Sequence, residues 1–176
     1  MIFCSGIHGV GKDFFLKKVE EVTGIKSYSA SSLIETYGSV EFDEDKRTPN
    51  INRNQECLLQ ALKSEKLPKE YILNGHFCLL NEKGEPERIP IKTFYELNPS
   101  KIIILTEKPE IIVGRRMIRD RKEVSVEETE KFQKEEIIYG KEVAKKLGIP
   151  IKVFDVRNEN KQAIKFILRD ISEKER

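Results

Sequence analysis

Short apolar runs and stretches of helical period alternate along this chain from one end to the other. Met1-Ile2-Phe3-Cys4 is the kind of unbroken apolar run a buried parallel strand makes. Phe15, Leu16, Val19 and Val22 then recur every three or four residues among Lys17, Lys18, Glu20 and Glu21. That spacing predicts an amphipathic helix with its apolar face on the sheet, ended by Gly24. Residues 25–29 read as a second strand, and residues 50–63 as a helix carrying Ile51, Leu58, Leu59 and Leu62. Residues 71–73 and 101–105 read as further strands. Pro109 suits the first position of a helix that runs to Arg119. Ser125, with Glu128 three residues on, forms a capping box that opens a long helix to Leu147. Gly148 ends that helix, residues 150–154 give a fifth strand, and Ala163, Ile164, Ile167, Leu168 and Ile171 mark a last amphipathic helix.

Five short strands separated by helices predict an α/β fold in three layers, with a doubly wound, parallel five-stranded sheet. Its 176 residues fit a single domain spanning 1–176. Residues 40–49 are charged and predict a loop, and residues 77–90, centred on Lys83-Gly84, predict a β-hairpin.

Between the first strand and first helix lies Gly6-Ile7-His8-Gly9-Val10-Gly11-Lys12-Asp13. Its spacing, G-x-x-x-x-G-K, is that of a phosphate-binding P-loop. Glycines let backbone N–H groups converge on a polyphosphate, the lysine reaches the outer phosphates, and the helix N-terminus adds partial positive charge. Gly6, His8, Gly9, Val10, Gly11, Lys12 and Asp13 are therefore the candidate ATP phosphate-binding residues, with His8 at a position where any side chain is tolerated. A regular loop continues with Ser or Thr on Mg²⁺, but here Asp13 stands there. The tip of the third strand, where a metal-binding acid is expected, carries Asn74. The two changes are complementary, so Asp13 is the expected metal ligand; a weakened metal site is the competing reading. Binding of ATP with Mg²⁺ follows as an expectation.

Composition narrows the remaining classes. A net charge of +2 is too balanced for a broad nucleic-acid surface, and no apolar run approaches a membrane span. The first strand begins at once, which leaves no room for a signal peptide, so a cytoplasmic protein is expected. Cys4, Cys57 and Cys78 lack metal or redox spacing and read as small buried residues.

Candidate chemistry continues along the carboxyl ends of the strands, where such sheets bind ligands. Arg115 and Arg119 lie four apart on one helix face, where their repulsion becomes attraction if a phosphate lies between them. They are candidate catalytic residues with Lys12; the alternative is a solvated face paired with Asp120, Glu123 and Glu127. Ser31 and Ser32 can bind an acceptor phosphate or simply cap a helix. Arg53, with Asn54 and Gln55, and Asn74 with His76 complete the candidate acceptor-binding set.

Gly6 to Asp13, the turn Ser29-Ala30-Ser31-Ser32-Leu33-Ile34, the run Tyr71-Ile72-Leu73-Asn74-Gly75-His76-Phe77 and the arginine-rich segment follow one another in an order that resembles adenylate-kinase-like nucleoside monophosphate kinases. The chain also looks like small bacterial ATP-binding proteins grouped with AAA-type ATPases. The resemblance implies a sheet order of 2-3-1-4-5 and transfer of the ATP γ-phosphoryl to a nucleoside or deoxynucleoside monophosphate. It further implies an acceptor region over about residues 29–65, a short lid over about 115–126, and Asp155 and Arg157 beside the adenine. Glu35 departs from the pattern, standing where those kinases commonly carry arginine. Two rivals remain: an ATP-binding regulatory or interaction module with little turnover, and a polynucleotide 5′-kinase. The weak net charge and the lack of an aromatic series disfavour the second. The expected partner is a small-molecule acceptor, with the protein acting as monomer or homodimer.

Overall fold

A computed structural model describes residues 1–38, 51–81, 83–120 and 124–169. The predicted loop at 40–49, Ile171, Glu123, Arg121 and Lys122 lie outside the described residues.

The first strand, β1 (Ile2–Ser5), is buried along its whole length, as an unbroken apolar run requires. It leads through the glycine loop into α1 (Lys12–Thr23), which Gly24 ends in the left-handed conformation. Then come β2 (Ser27–Ser29), α2 (Ala30–Gly38), α3 (Ile51–Ser64) and β3 (Ile72–Asn74). The predicted hairpin is present as β4 (Cys78–Leu80) and β5 (Pro86–Arg88), paired antiparallel. A short helix, α4 (Ile91–Leu97), precedes β6 (Lys101–Thr106) and α5 (Pro109–Asp120). The chain closes with α6 (Val126–Leu147), β7 (Ile151–Asp155) and α7 (Asn160–Leu168). The capping box at Ser125 is formed in both directions: Glu128 N donates to Ser125 Oγ at 3.0 Å, and Ser125 N donates back to the Glu128 carboxylate.

The main sheet has the order β2-β3-β1-β6-β7, with every pair parallel. Counting only these five strands in chain order, this is the 2-3-1-4-5 arrangement. Strand β6, beside the central β1, is buried in the core, with Ile102, Ile103, Ile104 and Leu105 essentially inaccessible. Phe3 packs edge to face on Phe77 at 5.1 Å and on Phe94 at 5.6 Å. Lys101, buried at the start of β6, donates to the carbonyl oxygens of Phe166 and Ile167 at the end of α7.

Two expectations need correction. Val22 is 62% exposed although it continues the apolar stripe of α1. Periodicity assigns a face and says nothing of how far along the helix that face is covered. The helix α4 went unpredicted, because seven residues between a hairpin and a strand carry too little period to register.

Candidate active site

The glycine loop leaves β1 at its carboxyl end, next to the tips of β3 and β6. Gly6 makes the turn possible: its φ is 149°, and a Cβ there would lie 2.7 Å from the Leu105 carbonyl oxygen. Gly11 holds φ 105° directly before α1, so the chain enters the helix with Lys12 already on its first turn. Lys12 is buried, and its Nζ donates to the carbonyl oxygens of Gly6 and, at 3.4 Å, Ile7. Asp13 follows on the exposed side of the same turn, and its Oδ1 accepts from Asn74 Nδ2 at 3.1 Å. The two altered positions expected from the sequence thus meet in one hydrogen bond.

Arg115 reaches back from α5 over the loop. One guanidinium nitrogen donates to Val10 O at 2.9 Å and Gly9 O at 3.3 Å; another lies 3.2 Å from the Glu107 carboxylate. Glu107 is a buried acid between β6 and α5, and its other oxygen lies 2.7 Å from Arg157 Nε. Gln133 on α6 fixes the Glu107 backbone through both its amide atoms, at 3.0 and 3.1 Å. Arg115 and Arg157, placed on different sides of the nucleotide by the sequence reading, therefore share one carboxylate.

A second buried acid underlies the loop. Glu136 on α6 is fully buried and accepts from Ser5 Oγ at 2.5 Å, Phe77 N at 2.9 Å and Cys78 N at 2.7 Å. It ties the end of β1 to the segment after β3. Burial pushes its carboxyl above the usual range, against the lowering effect of those three donors and of Lys12. Burial likewise pushes the Cys4 thiol up to about 12, which keeps it a neutral apolar group, as its sequence context predicts. Next to Gly140 on the same helix, Ile104 and Phe77 approach so closely that an added Cβ would meet them at 2.5 and 2.8 Å.

A cavity of about 630 Å³ opens between the loop and the helices α2 and α3. Lys12, Asp13, Arg115 and Arg119 border one side. Ser31, Ser32, Asn74 and His76 border the other, together with Glu35, Asn54 and Gln55. The His8 ring, in the loop, stands 4.3 Å from the His76 ring, so a position read as tolerant of any residue faces the cavity. Ser29 Oγ accepts from Ser32 N at 3.4 Å and contacts Ser31 Oγ at 2.9 Å, so capping of α2 falls to Ser29. Arg53, Asp155 and Arg157 lie outside the cavity lining. Asp155 accepts from Arg157 N at 2.8 Å and Asn158 Nδ2 at 3.3 Å in the turn after β7.

Sequence reasoning missed Glu107 and Glu136. Glu136 left a signal: it is an acid on the apolar stripe Phe132, Tyr139, Val143 of α6, where a charge needs buried partners. Glu107 left none, since an acid before a helix-starting proline reads as an ordinary turn residue.

One carboxylate beside a phosphate loop suits Mg²⁺, which is commonly held by one or two protein carboxylates plus substrate phosphates. Among the described residues, no three His, Cys, Asp or Glu side chains cluster as a complete metal cage. The donor set therefore fits a cation shared with a nucleotide.

Among solved structures, the chain is similar to shikimate kinase from Acinetobacter baumannii, with a TM-score of 0.61 at 16% identity over 98% of this chain and 93% of that one. It is similar to the YorR protein of Bacillus subtilis, solved with phosphorylated GDP, with a TM-score of 0.58 at 14% identity over 99% and 96%. A curated protein of Thermoanaerobacter sp. (strain X514), named provisionally as a pyruvate, phosphate dikinase regulatory protein, is 29% identical over 153 residues. That match takes in 84% of this chain, which spans about half, 51%, of the relative's length. Among the described residues, no helix is long and apolar enough to cross a membrane. Residues 5–133 match the AAA domain family, and with the kinase-like fold around its P-loop the chain belongs to that family.

Proposed function

We propose that this protein transfers the γ-phosphoryl group of ATP to a small acceptor bound between α2 and α3. The observation that carries this reading is a single cavity with Lys12, Asp13 and Arg115 on one side and Ser31, Asn54 and Gln55 on the other. A donor and an acceptor bound there share one space, which positioning catalysis requires.

Lys12 exchanges its carbonyl partners for phosphate oxygens, and the loop amides hold the β-phosphate. The acceptor oxygen attacks the γ-phosphorus, the bond to the β–γ bridging oxygen breaks, and ADP departs with that electron pair. Arg115 and Arg119 face the charge that spreads over the transferred group, where such arginines are most effective. Glu107 holds Arg115 in place, and Asp155 and Arg157 are assigned to the adenine side. Asp13, oriented by Asn74, is the residue that would hold Mg²⁺, a cation that would supply charge neutralisation to the nucleotide phosphates.

The test is ADP production from Mg-ATP across a panel of small acceptors, beside Lys12→Ala. Nucleoside monophosphates enter that panel first, on the resemblance of the loop, the Ser29–Ile34 turn and the arginine segment. Turnover of about 1–100 s⁻¹ with one acceptor supports the kinase reading. The second reading, a regulatory module, is favoured by the Thermoanaerobacter relative. Tight ATP binding without acceptor-stimulated turnover selects it.

A further inference from the structure

We infer that Asp13 makes capture of a nucleotide conditional on a divalent cation, because without the ion its carboxylate repels the polyphosphate. The inference rests on the nucleotide-binding half of the proposed function and adds a regulation to that site. It stands whether or not a phosphoryl group is then transferred.

Asp13 is the second residue of α1, on the turn that opens from the glycine loop. It is exposed and borders the cavity beside Lys12, its neighbour in the chain. Its Oδ1 accepts from Asn74 Nδ2 at 3.1 Å. An amide that donates in this way orients a carboxylate and leaves its charge in place. The nearby cations are engaged elsewhere. Lys12 Nζ donates to the carbonyl oxygens of Gly6 and Ile7, and Arg115 donates to Gly9, Val10 and the Glu107 carboxylate.

An acid in the first turn of a helix also stabilises that helix through its dipole. That role explains a charge at Asp13. It does not call for a side chain that borders the cavity and is tied to a strand tip 61 residues along the chain.

The position in the sequence decides the sign of the effect. A Ser or Thr hydroxyl after the loop lysine can ligate the ion yet carries no charge, so it does not oppose a nucleotide that arrives without one. A carboxylate there is an anion next to the lysine that faces the phosphates. Like charges in close contact near a protein surface repel enough to lower an affinity about tenfold or more. A divalent cation, which favours such oxygen donors, reverses the interaction. By linkage, the nucleotide raises the affinity for the cation by the same factor. Asn74, neutral at the strand tip, adds no second carboxylate, so this coupling falls on Asp13.

The experiment is calorimetry on the full chain with a non-hydrolysable ATP analogue, in excess Mg²⁺ and in excess EDTA at one ionic strength. Wild type, Asp13→Asn and Asp13→Ser are compared, so that the change in ion dependence isolates the Asp13 charge from every other charge in the cavity. Wild type is expected to lose about 100-fold in affinity when the ion is removed. Asp13→Asn is expected to lose less than about tenfold, and to bind the metal-free analogue about tenfold tighter than wild type. Asp13→Ser is expected to match Asp13→Asn in EDTA, since both lack the charge. A gain in affinity cannot come from a variant that fails to fold. Equal ion dependence in wild type and Asp13→Asn overturns the inference, as does metal-free binding no tighter in the variant. A purely helix-stabilising Asp13 gives that second pattern together with a lowered melting temperature. If wild type binds the analogue neither with the ion nor without it, the nucleotide reading fails and the inference falls with it. Ion-dependent binding without turnover removes phosphoryl transfer and leaves the inference standing.

Discussion

The two sides of the cavity are built on opposite plans. The loop side is eight contiguous residues plus α5, and its charges come in bonded sets: Lys12 on the carbonyl oxygens of Gly6 and Ile7, Arg115 on Glu107. The helical side is gathered from α2, α3 and the segment after β3, and its buried polar groups, Asn54 and Gln55, are neutral. Polyphosphate is the same in every nucleotide, so a fixed local loop serves it. On the proposed function, the other side must match one acceptor, a shape that only distant segments brought together can supply.

The largest expected effect touches the loop side alone. Lys12→Ala is predicted to lower turnover by about 10²–10³-fold while shifting the melting temperature little, because it removes charge where charge develops. A comparable loss with Asn54→Ala would erase the distinction between a catalytic side and a recognition side.

Glu136 joins the two sides, so its removal should damage both. Glu136→Ala leaves the Ser5 hydroxyl and two backbone amides without an acceptor, a cost of about 3 kcal/mol in urea unfolding. Its raised folded-state pKa also fixes a sign. The stability it contributes is full below its unfolded pKa and is lost as pH rises through the raised folded value. From neutral pH downward, wild type should therefore gain stability relative to Glu136→Gln. Parallel stability curves for the two proteins would contradict this.

Glu107→Gln is predicted to lower kcat about tenfold with a smaller change in the KM for ATP, since Arg115 keeps its carbonyl partners and loses its carboxylate. An equal rise in KM with kcat intact would make Glu107 a binding element only. Ser125→Ala, remote from both sides, should cost about 1 kcal/mol of stability through the lost cap and leave ATP-analogue affinity unchanged.

The contrast between the two sides also explains what could be read from the chain. Strand, loop and first helix are contiguous, so their function follows from spacing alone, and the α6 cap was legible for the same reason. The sheet order came with the family resemblance, not from periodicity. What stayed hidden depends on segments far apart. Glu107 matters because α5, α6 and the turn after β7 converge on it, and two of its partners, Gln133 and Arg157, lie 26 and 50 residues away in the chain. Ser31 and Ser32 left capping and ligand binding undecided, and only the position of Ser29 at the head of α2 settles the capping. The exposure of Val22 was not legible because amphipathic period is silent about how far along a helix its apolar face is covered.

The central place of β1 has a consequence for how the protein is made. Ile2 is registered against Ile72 on one side and Lys101 on the other, so β1 waits about 70 and then about 100 residues for its neighbours. At translation rates of about 5–20 residues per second, that is a delay of several seconds or more, during which an apolar strand end has no sheet to join. The glycine loop is complete in sequence long before β3 and β6 are, yet the frame that shapes it exists only after β6 has emerged from the ribosome. On the proposed function, a bound nucleotide would therefore stabilise the finished domain but could not template its early folding.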